Sequence, residues 1–359
     1  MPVIVAQNDP IIRALQVVLD PKTDPERQAA IADYYSVDIT DFEDWRAKLR
    51  ARLPGAFPAV MRMVDDQDEL IRTLADADAV VVESLKIGRN ELERGRRLKV
   101  VQKFGTDTRN IDLAACQARG VAVTTLRRRV NAAVAEHAFA LMLALAKKLT
   151  KLDKRLDFAS LESAGYKPRM YDRRHCGFAN WARVNGIATL NGAALGAIGL
   201  GEIGREVASR ARAFGMNVLY YQRNRLPEEV EQPLGARHVS FDELLSRSDF
   251  ITIHLPLTPE TTGMLGRAAF ARMKPGAFVV NISRAAIIER DALLDALSSG
   301  RLGGAGLDVH YKEPSDPDDP LMRFDNVVLS PHTAVASRYN GANDIAEVAD
   351  NISRALARA

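Results

Sequence analysis

Three glycines and three strand-end segments carry the chemistry legible in this chain. Gly199, Gly201 and Gly204 follow an apolar stretch, 194–198, and precede one in which Ile203, Val207, Ala211 and Phe214 share a helical face. A strand, a tight turn and a helix are implied. The first glycine lets the chain turn sharply, the second lets backbone approach a pyrophosphate, and the third lets helix and strand pack closely. Unpaired N–H groups at the helix start, around Glu202 and Ile203, would face the bound anion. The next apolar stretch, 216–221, ends where a dinucleotide fold places its ribose-reading residue, which adds weight that glycine spacing alone lacks. Further on, Val279-Val280-Asn281-Ile282-Ser283-Arg284, then Gly306-Leu307-Asp308-Val309 leading to Glu313, then Leu329-Ser330-Pro331-His332 each put a polar residue at the carboxyl end of a predicted strand. Guanidinium, carboxylate and imidazole groups can together hold an anion and move a proton.

The elements that must position these residues are those of an α/β protein. Residues 14–19, 79–82, 99–104 and 121–124 read as strands, with helices over 24–35, 68–74 and 112–118 between them. Such alternation argues a parallel sheet. Residues 131–152 read as one long apolar helix leading from a first domain to a second. A second alternating series has strands near Ala194, Met216, Phe250, Ala277, Gly304 and Val327, and a final helix over 343–356 returns to the first domain. The expected architecture is α/β: two flavodoxin/Rossmann-like lobes with parallel sheets, the dinucleotide-binding lobe doubly wound, and the active site in the interdomain cleft. Residues 158–191 fit neither pattern and read as an excursion over the cleft, a dimer contact or a plain surface loop.

At 359 residues two domains are the prior expectation. Cationic residues number 49 against 46 acidic ones, a net charge of +3 that gives no reason to expect nucleic acid. Cys116 and Cys176 match no metal or redox spacing, so no metal is expected. No leader pattern opens the chain and no run reaches the roughly 18 apolar residues of a membrane span, so a cytoplasmic protein without membrane partners is expected.

The order of the glycine run and the strand-end segments resembles the D-isomer-specific 2-hydroxyacid dehydrogenase family over about residues 79–346. His254-Leu255-Pro256-Leu257-Thr258-Pro259-Glu260-Thr261, Met273-Lys274-Pro275-Gly276 and Ala135-Glu136-His137 are similar to that family's segments. The resemblance implies hydride transfer between NAD(P)H and a small anionic 2-keto or 2-hydroxy acid by a homodimer. It implies a substrate-binding domain over 1–127 and 334–359 and a dinucleotide-binding domain over 128–333. It makes Arg284 the substrate-binding arginine, Glu313 the histidine's partner and His332 the acid/base. It puts His254, Pro256, Ser283 and Asp308 along the cofactor, Asp308 near the nicotinamide carboxamide unless it is a core hydrogen-bonding residue. Lys103, Phe104, Gly105 and Thr106 fall in a segment resembling the substrate loop. The chemistry agrees: a 2-keto acid needs a cation that holds its carboxylate in a bidentate fork, and a proton donor that works near neutral pH.

The chain also departs from the family. Gln222 stands where NAD-preferring relatives have an acidic residue, and Arg223 and Arg225 are available to a 2'-phosphate, so NADP is favoured over NAD. Under the alternative, Gln222 or Asn224 bonds a free hydroxyl and NAD serves equally well. Arg127, Arg128 and Arg129 replace a proline-glycine turn before the long helix. Three cations there oppose the helix dipole, so a substrate or cofactor anion, or carboxylates of the protein, should compensate. Ala285 and Val335 stand at positions usually glycine in the family. Two other functions fit the same motifs: a dinucleotide-sensing, corepressor-like scaffold, and a phosphite-type dehydrogenase gripping its oxyanion with Lys103 and Arg284. The particular acid, the direction and the pathway are not encoded in any motif.

Overall fold

The computed structural model describes residues 1–335 and 337–358. Ala336 and Ala359, both within the stretch 334–359 expected to join the first domain, lie outside the described residues. The chain forms two compact units, one of residues 1–131 with 335–359 and the other of residues 132–334.

The first unit is built on a five-stranded sheet. Its strands are β1 (Val3–Gln7), β2 (Val60–Val64), β3 (Ala79–Val82), β4 (Val100–Lys103) and β5 (Ala122–Thr124), in the order β2-β1-β3-β4-β5. All pairings are parallel. β3 and β4 are buried along their length, as the valine runs of a sheet covered on both faces require. Asp24, Asp41, Asp66 and Asp112 each cap a helix by accepting the N–H three residues on. The run 14–19 is not a strand but most of the helix Arg13–Leu19. Ala14, Leu15, Val17, Val18 and Leu19 are all buried, so this helix shows no polar face from which its period could be read. The strands that do flank it in sequence, β1 and β2, fall outside the predicted set, although β1 is central. The closing helix, Arg338–Arg358, starts earlier than residue 343 and buries Ile345, Val348 and Ile352 in this unit's core.

The second unit has a seven-stranded parallel sheet. Its strands are β6 (Ala194–Ile198), β7 (Asn217–Tyr221), β8 (Ala236–His238), β9 (Phe250–Ile253), β10 (Ala277–Asn281), β11 (Leu302–Leu307) and β12 (Val327–Leu329). The order β12-β11-β10-β9-β6-β7-β8 reverses direction beside β6, the topological switch point at which such sheets bind ligands. β8, three residues long, was too short for its alternation to register. The long helix is interrupted: Arg129–Lys147 ends at Lys148, whose φ of +53° is left-handed, and Leu149–Leu152 follows. Arg129–Lys147 is long and apolar enough to cross a membrane by length and composition, yet 61% of its window is buried within the protein. Ala138, Leu141, Met142 and Leu145 pack into the second unit's core. Within 158–191 the described helix is the short Phe158–Ser163, with Phe158 stacked on Trp181.

Leu15 is fully buried in the first unit. Leu15→Ala should lower stability by about 2–5 kcal/mol, read as a fall in the denaturant midpoint with an unchanged m-value.

Candidate active site

In the second unit the strands run in register, so their carboxyl ends form one row: Tyr221, Ile198, Ile253, Asn281, Leu307 and Leu329 are successive partners.

Beyond β6, Gly199 adopts φ +93°, and a Cβ there would stand 2.9 Å from the His254 carbonyl oxygen. A Cβ on Gly204 would stand 2.4 Å from the Gly199 carbonyl oxygen, so the helix Glu202–Ala213 sits as close to the turn as glycine permits. A Cβ on Gly201 would meet nothing within 4 Å, leaving open space before the helix start, where Glu202 and Ile203 form the first turn. Two tight glycines and one open one form the cradle a pyrophosphate needs, so the residues present fit a dinucleotide. The Leu200 N–H donates to Gln222 Oε1 (3.1 Å), and Gln222 Nε2 donates to the Asn224 carbonyl (2.7 Å). Gln222 thereby ties the glycine turn to the loop after β7. Arg223 is exposed and has no hydrogen bond or ion pair among the described residues. Arg225 instead closes a two-pronged pair on buried Glu231 (3.0 and 2.7 Å), which also accepts from Tyr220 Oη (2.5 Å). Of the two arginines read as phosphate partners, one is therefore already committed. After β9, His254 bonds Thr252 Oγ1 through Nε2 (3.0 Å), while its buried Nδ1 has no hydrogen-bond partner among the described residues. Burial pushes its pKa down to about 3, so the ring is neutral. Pro256, three residues beyond β9, is exposed.

After β10, Asn281 is fully buried, and its side chain holds both ends of the next turn. Its Oδ1 accepts from Ser283 N (3.0 Å), and its Nδ2 donates to the Arg284 carbonyl (2.9 Å). Ser283 Oγ donates to the Ile253 carbonyl (2.7 Å). Arg284 is left exposed with its Nη1 on the Ser283 carbonyl (2.6 Å) and no carboxylate partner among the described residues.

His332 Nδ1 lies 2.8 Å from Glu313 Oε2. Glu313 Oε1 accepts from the His310 backbone N–H (2.9 Å), which orients the carboxylate. Burial alone would raise the Glu313 pKa, but the bonds from His332 and the His310 backbone hold it below its ordinary value. His332 has φ +56°, a left-handed conformation uncommon outside glycine. Asp308 explains how it is held. This carboxylate has no exposed surface and accepts from Ser330 Oγ (2.6 Å), Thr333 N (2.8 Å) and Ala334 N (2.8 Å). Ser330 spends its one proton on Asp308, so His137 Nε2, 2.7 Å from Ser330 Oγ, must be the donor. Asp308 is thus engaged in hydrogen bonds with the chain itself. A cavity of about 500 Å³ borders Glu313 and His332.

The first unit holds the expected substrate loop. Lys103 is buried, and its ammonium donates to the Glu83 carbonyl oxygen rather than standing ready as a partner of Arg284. Phe104 is buried; Gly105 has φ +146° and its carbonyl accepts from Leu126 N (2.9 Å); Thr106 is exposed. Arg109 is paired with Asp107.

The family model for the NAD binding domain of D-isomer specific 2-hydroxyacid dehydrogenases matches residues 139–334. Glyoxylate reductase of Korarchaeum cryptofilum is 34% identical over 330 residues, spanning 91% of this chain and 89% of that one. The chain belongs to the D-isomer specific 2-hydroxyacid dehydrogenase family. It is also 38% identical over 294 residues to D-3-phosphoglycerate dehydrogenase of Archaeoglobus fulgidus, a match covering 81% of this chain and 52% of that one, so the chain spans about half the length of that relative. The apo form of D-mandelate dehydrogenase from Rhodotorula graminis superposes with a TM-score of 0.57 at 25% identity, over 98% of this chain and 92% of that one.

For a 2-hydroxyacid dehydrogenase of this family, Asn281, His137 and Ser330 are additions to the residues that motif spacing points to. Asn281 and Ser330 lie inside two of the three strand-end segments, one residue position from the row of strand ends or on it. No spacing rule pairs His137 with Ser330, nearly two hundred positions away.

The bonds from Ser330, Thr333 and Ala334, with His137 Nε2 3.3 Å from Oδ1, oppose the burial of Asp308 and hold its pKa at about 2, below the ordinary 3.8. A carboxyl depressed by folding stabilises the fold above its unfolded pKa, and that stabilisation is lost as pH falls from about 4 through about 2. Its size is on the order of 2 kcal/mol. Asp308→Asn should lower stability at pH 7 and flatten the acid limb of the stability curve between about pH 4 and 2, measured by urea denaturation at each pH; a limb of unchanged steepness would contradict the assignment.

Proposed function

We propose that this chain transfers a hydride between NAD(P)H and a small anionic 2-keto or 2-hydroxy acid. The 2.8 Å bond between His332 Nδ1 and Glu313 Oε2 carries the proposal. A carboxylate accepts, so Nδ1 bears a proton and Nε2 is the nitrogen left for substrate. In reduction His332 gives the Nε2 proton to the carbonyl oxygen; in oxidation it takes the hydroxyl proton. Glu313 fixes the ring and stabilises its charged form. Arg284, exposed and without an acidic partner among the described residues, takes the substrate carboxylate as a fork and leaves the adjacent carbonyl beside His332. When bound, the dinucleotide supplies the hydride. Gly199, Gly201, Gly204 and the first turn at Glu202 and Ile203 would hold its pyrophosphate, with His254, Pro256 and Ser283 along its length.

The unit 132–334 is proposed as the dinucleotide-binding domain and the remainder, with 103–106 as its substrate loop, as the substrate-binding domain. NADPH is proposed as the preferred cofactor. With Arg225 committed to Glu231, that preference rests on Gln222, Asn224 and exposed Arg223. A cytoplasmic homodimer completes the proposal, on the family resemblance.

The test is oxidation of NADPH and NADH by purified protein across glyoxylate, pyruvate, hydroxypyruvate and dicarboxylic 2-keto acids. His332→Ala should lower kcat by about 10²–10⁴-fold; a variant as fast as wild type would sink the acid/base assignment. Arg223→Ala should raise the KM for NADPH about tenfold with a much smaller change for NADH, the loss of one charge-assisted bond. Equal changes for both cofactors would count against the 2'-phosphate contact.

A further inference from the structure

We propose that Arg128 is a specificity-determining cation that takes a second anionic group, carboxylate or phosphate, on the 2-keto acid. This rests on the reading of 103–106 as the substrate loop. The three consecutive arginines meet different fates. Arg129 is answered within its own unit: its backbone N–H and guanidinium both reach buried Asp344 (3.0 and 2.9 Å), and a second guanidinium nitrogen reaches Glu347 (2.8 Å). Arg128 has no hydrogen bond from its side chain and no ion pair among the described residues, and its Nε is buried without an acceptor. It does feel the field of Asp344, but that carboxylate is already bonded to a full cation of its own.

What Arg128 has instead is a platform. Its guanidinium carbon lies 4.8 Å from the centroid of Phe104, within the substrate loop. Phe104 is buried and anchored through its N–H to the Val82 carbonyl (2.8 Å), so the ring is a fixed surface. The bond from Leu126 N to the Gly105 carbonyl (2.9 Å) ties the arginine segment to that loop. A guanidinium laid on an aromatic face keeps the edge bearing its terminal nitrogens for a planar or tetrahedral oxyanion, and the stack holds its orientation in advance. The guanidinium is half-buried with no ion pair among the described residues, so a bound oxyanion would answer its charge without displacing a carboxylate. Lys103 and Arg109 are not equivalent candidates, since one donates to the Glu83 carbonyl and the other is paired with Asp107.

Two measurements on the full chain test this. Calorimetric titration with malonate and with acetate gives a binding ratio that needs no turnover. Steady-state kinetics with pyruvate, oxaloacetate and 3-phosphohydroxypyruvate gives the ratio of KM values for singly and doubly anionic acids. Wild type should favour malonate, and Arg128→Ala should shrink both ratios by about tenfold or more, the loss of a charge-assisted contact. Arg128→Lys should recover part of the preference, whereas Arg129→Gln, which removes a neighbouring cation, should leave the ratios in place. Melting temperatures check folding, and Arg128→Gln reads the same ratios should the alanine variant not fold. Whether oxaloacetate or 3-phosphohydroxypyruvate loses more separates carboxylate from phosphate. Ratios unchanged in Arg128→Ala, or reduced equally by Arg129→Gln, would overturn the proposal. A malonate preference lost in Arg128→Ala with no turnover in wild type would instead retire the redox reading and keep this one.

Discussion

Parallel strands that stay in register end level with one another, and the candidate chemistry of the 132–334 unit depends on that constraint. Six strand ends from Tyr221 to Leu329 form one row. The register slips once, at Ala277, where Gly303 is the extra residue; the slip lies at the start of β10, so the far ends still align. A side chain on Gly303 would put its Cβ 2.3 Å from the Gly276 carbonyl oxygen, which is why the slip needs glycine there. Because the row is level, one to three residues of overhang are enough to carry Gly199, His254, Arg284 and Asp308 to the same edge.

The overhanging segments are irregular backbone, and buried amides and carboxylates determine their shape. Asn281 closes the turn before Arg284 with both halves of its amide. Asp308 gathers Ser330, Thr333 and Ala334, and this buried carboxylate holds His332 between them in a left-handed conformation. In a low-dielectric setting each such bond is stronger, and each missing one more costly, than at the surface. Strain at His332 is thereby compensated by a satisfied network underneath it.

Charge compensation sorts the arginines. Glu231 claims Arg225, Asp107 claims Arg109, and Asp344 with Glu347 claims Arg129. Arg284 and Arg223 are left exposed without an ion pair among the described residues, Arg223 feeling only the field of Glu260, and Arg128 rests on a ring. Guanidinium groups alike in sequence therefore differ in what they can offer a ligand.

The residues by themselves determined the fold class and the glycine turn, and named the candidate strand-end triad, because glycine spacing, valine runs and polar strand ends are local consequences of backbone geometry. The parallel αβ alternation of the second half was legible for the same reason. The helix Arg13–Leu19 was not, since a helix buried almost all round has no polar stripe, and central β1 was hidden because five residues of apolar chain are equally compatible with either element. The triad's supports, His137 with Ser330 and Asp308 beneath His332, were invisible because they join residues far apart in the chain. Likewise Arg223 and Arg225, two positions apart, look interchangeable until a buried glutamate six residues downstream takes one of them. Local sequence sets which groups are present; only the folded chain decides which of them are already satisfied, because satisfaction depends on distance in space and on exclusion of water.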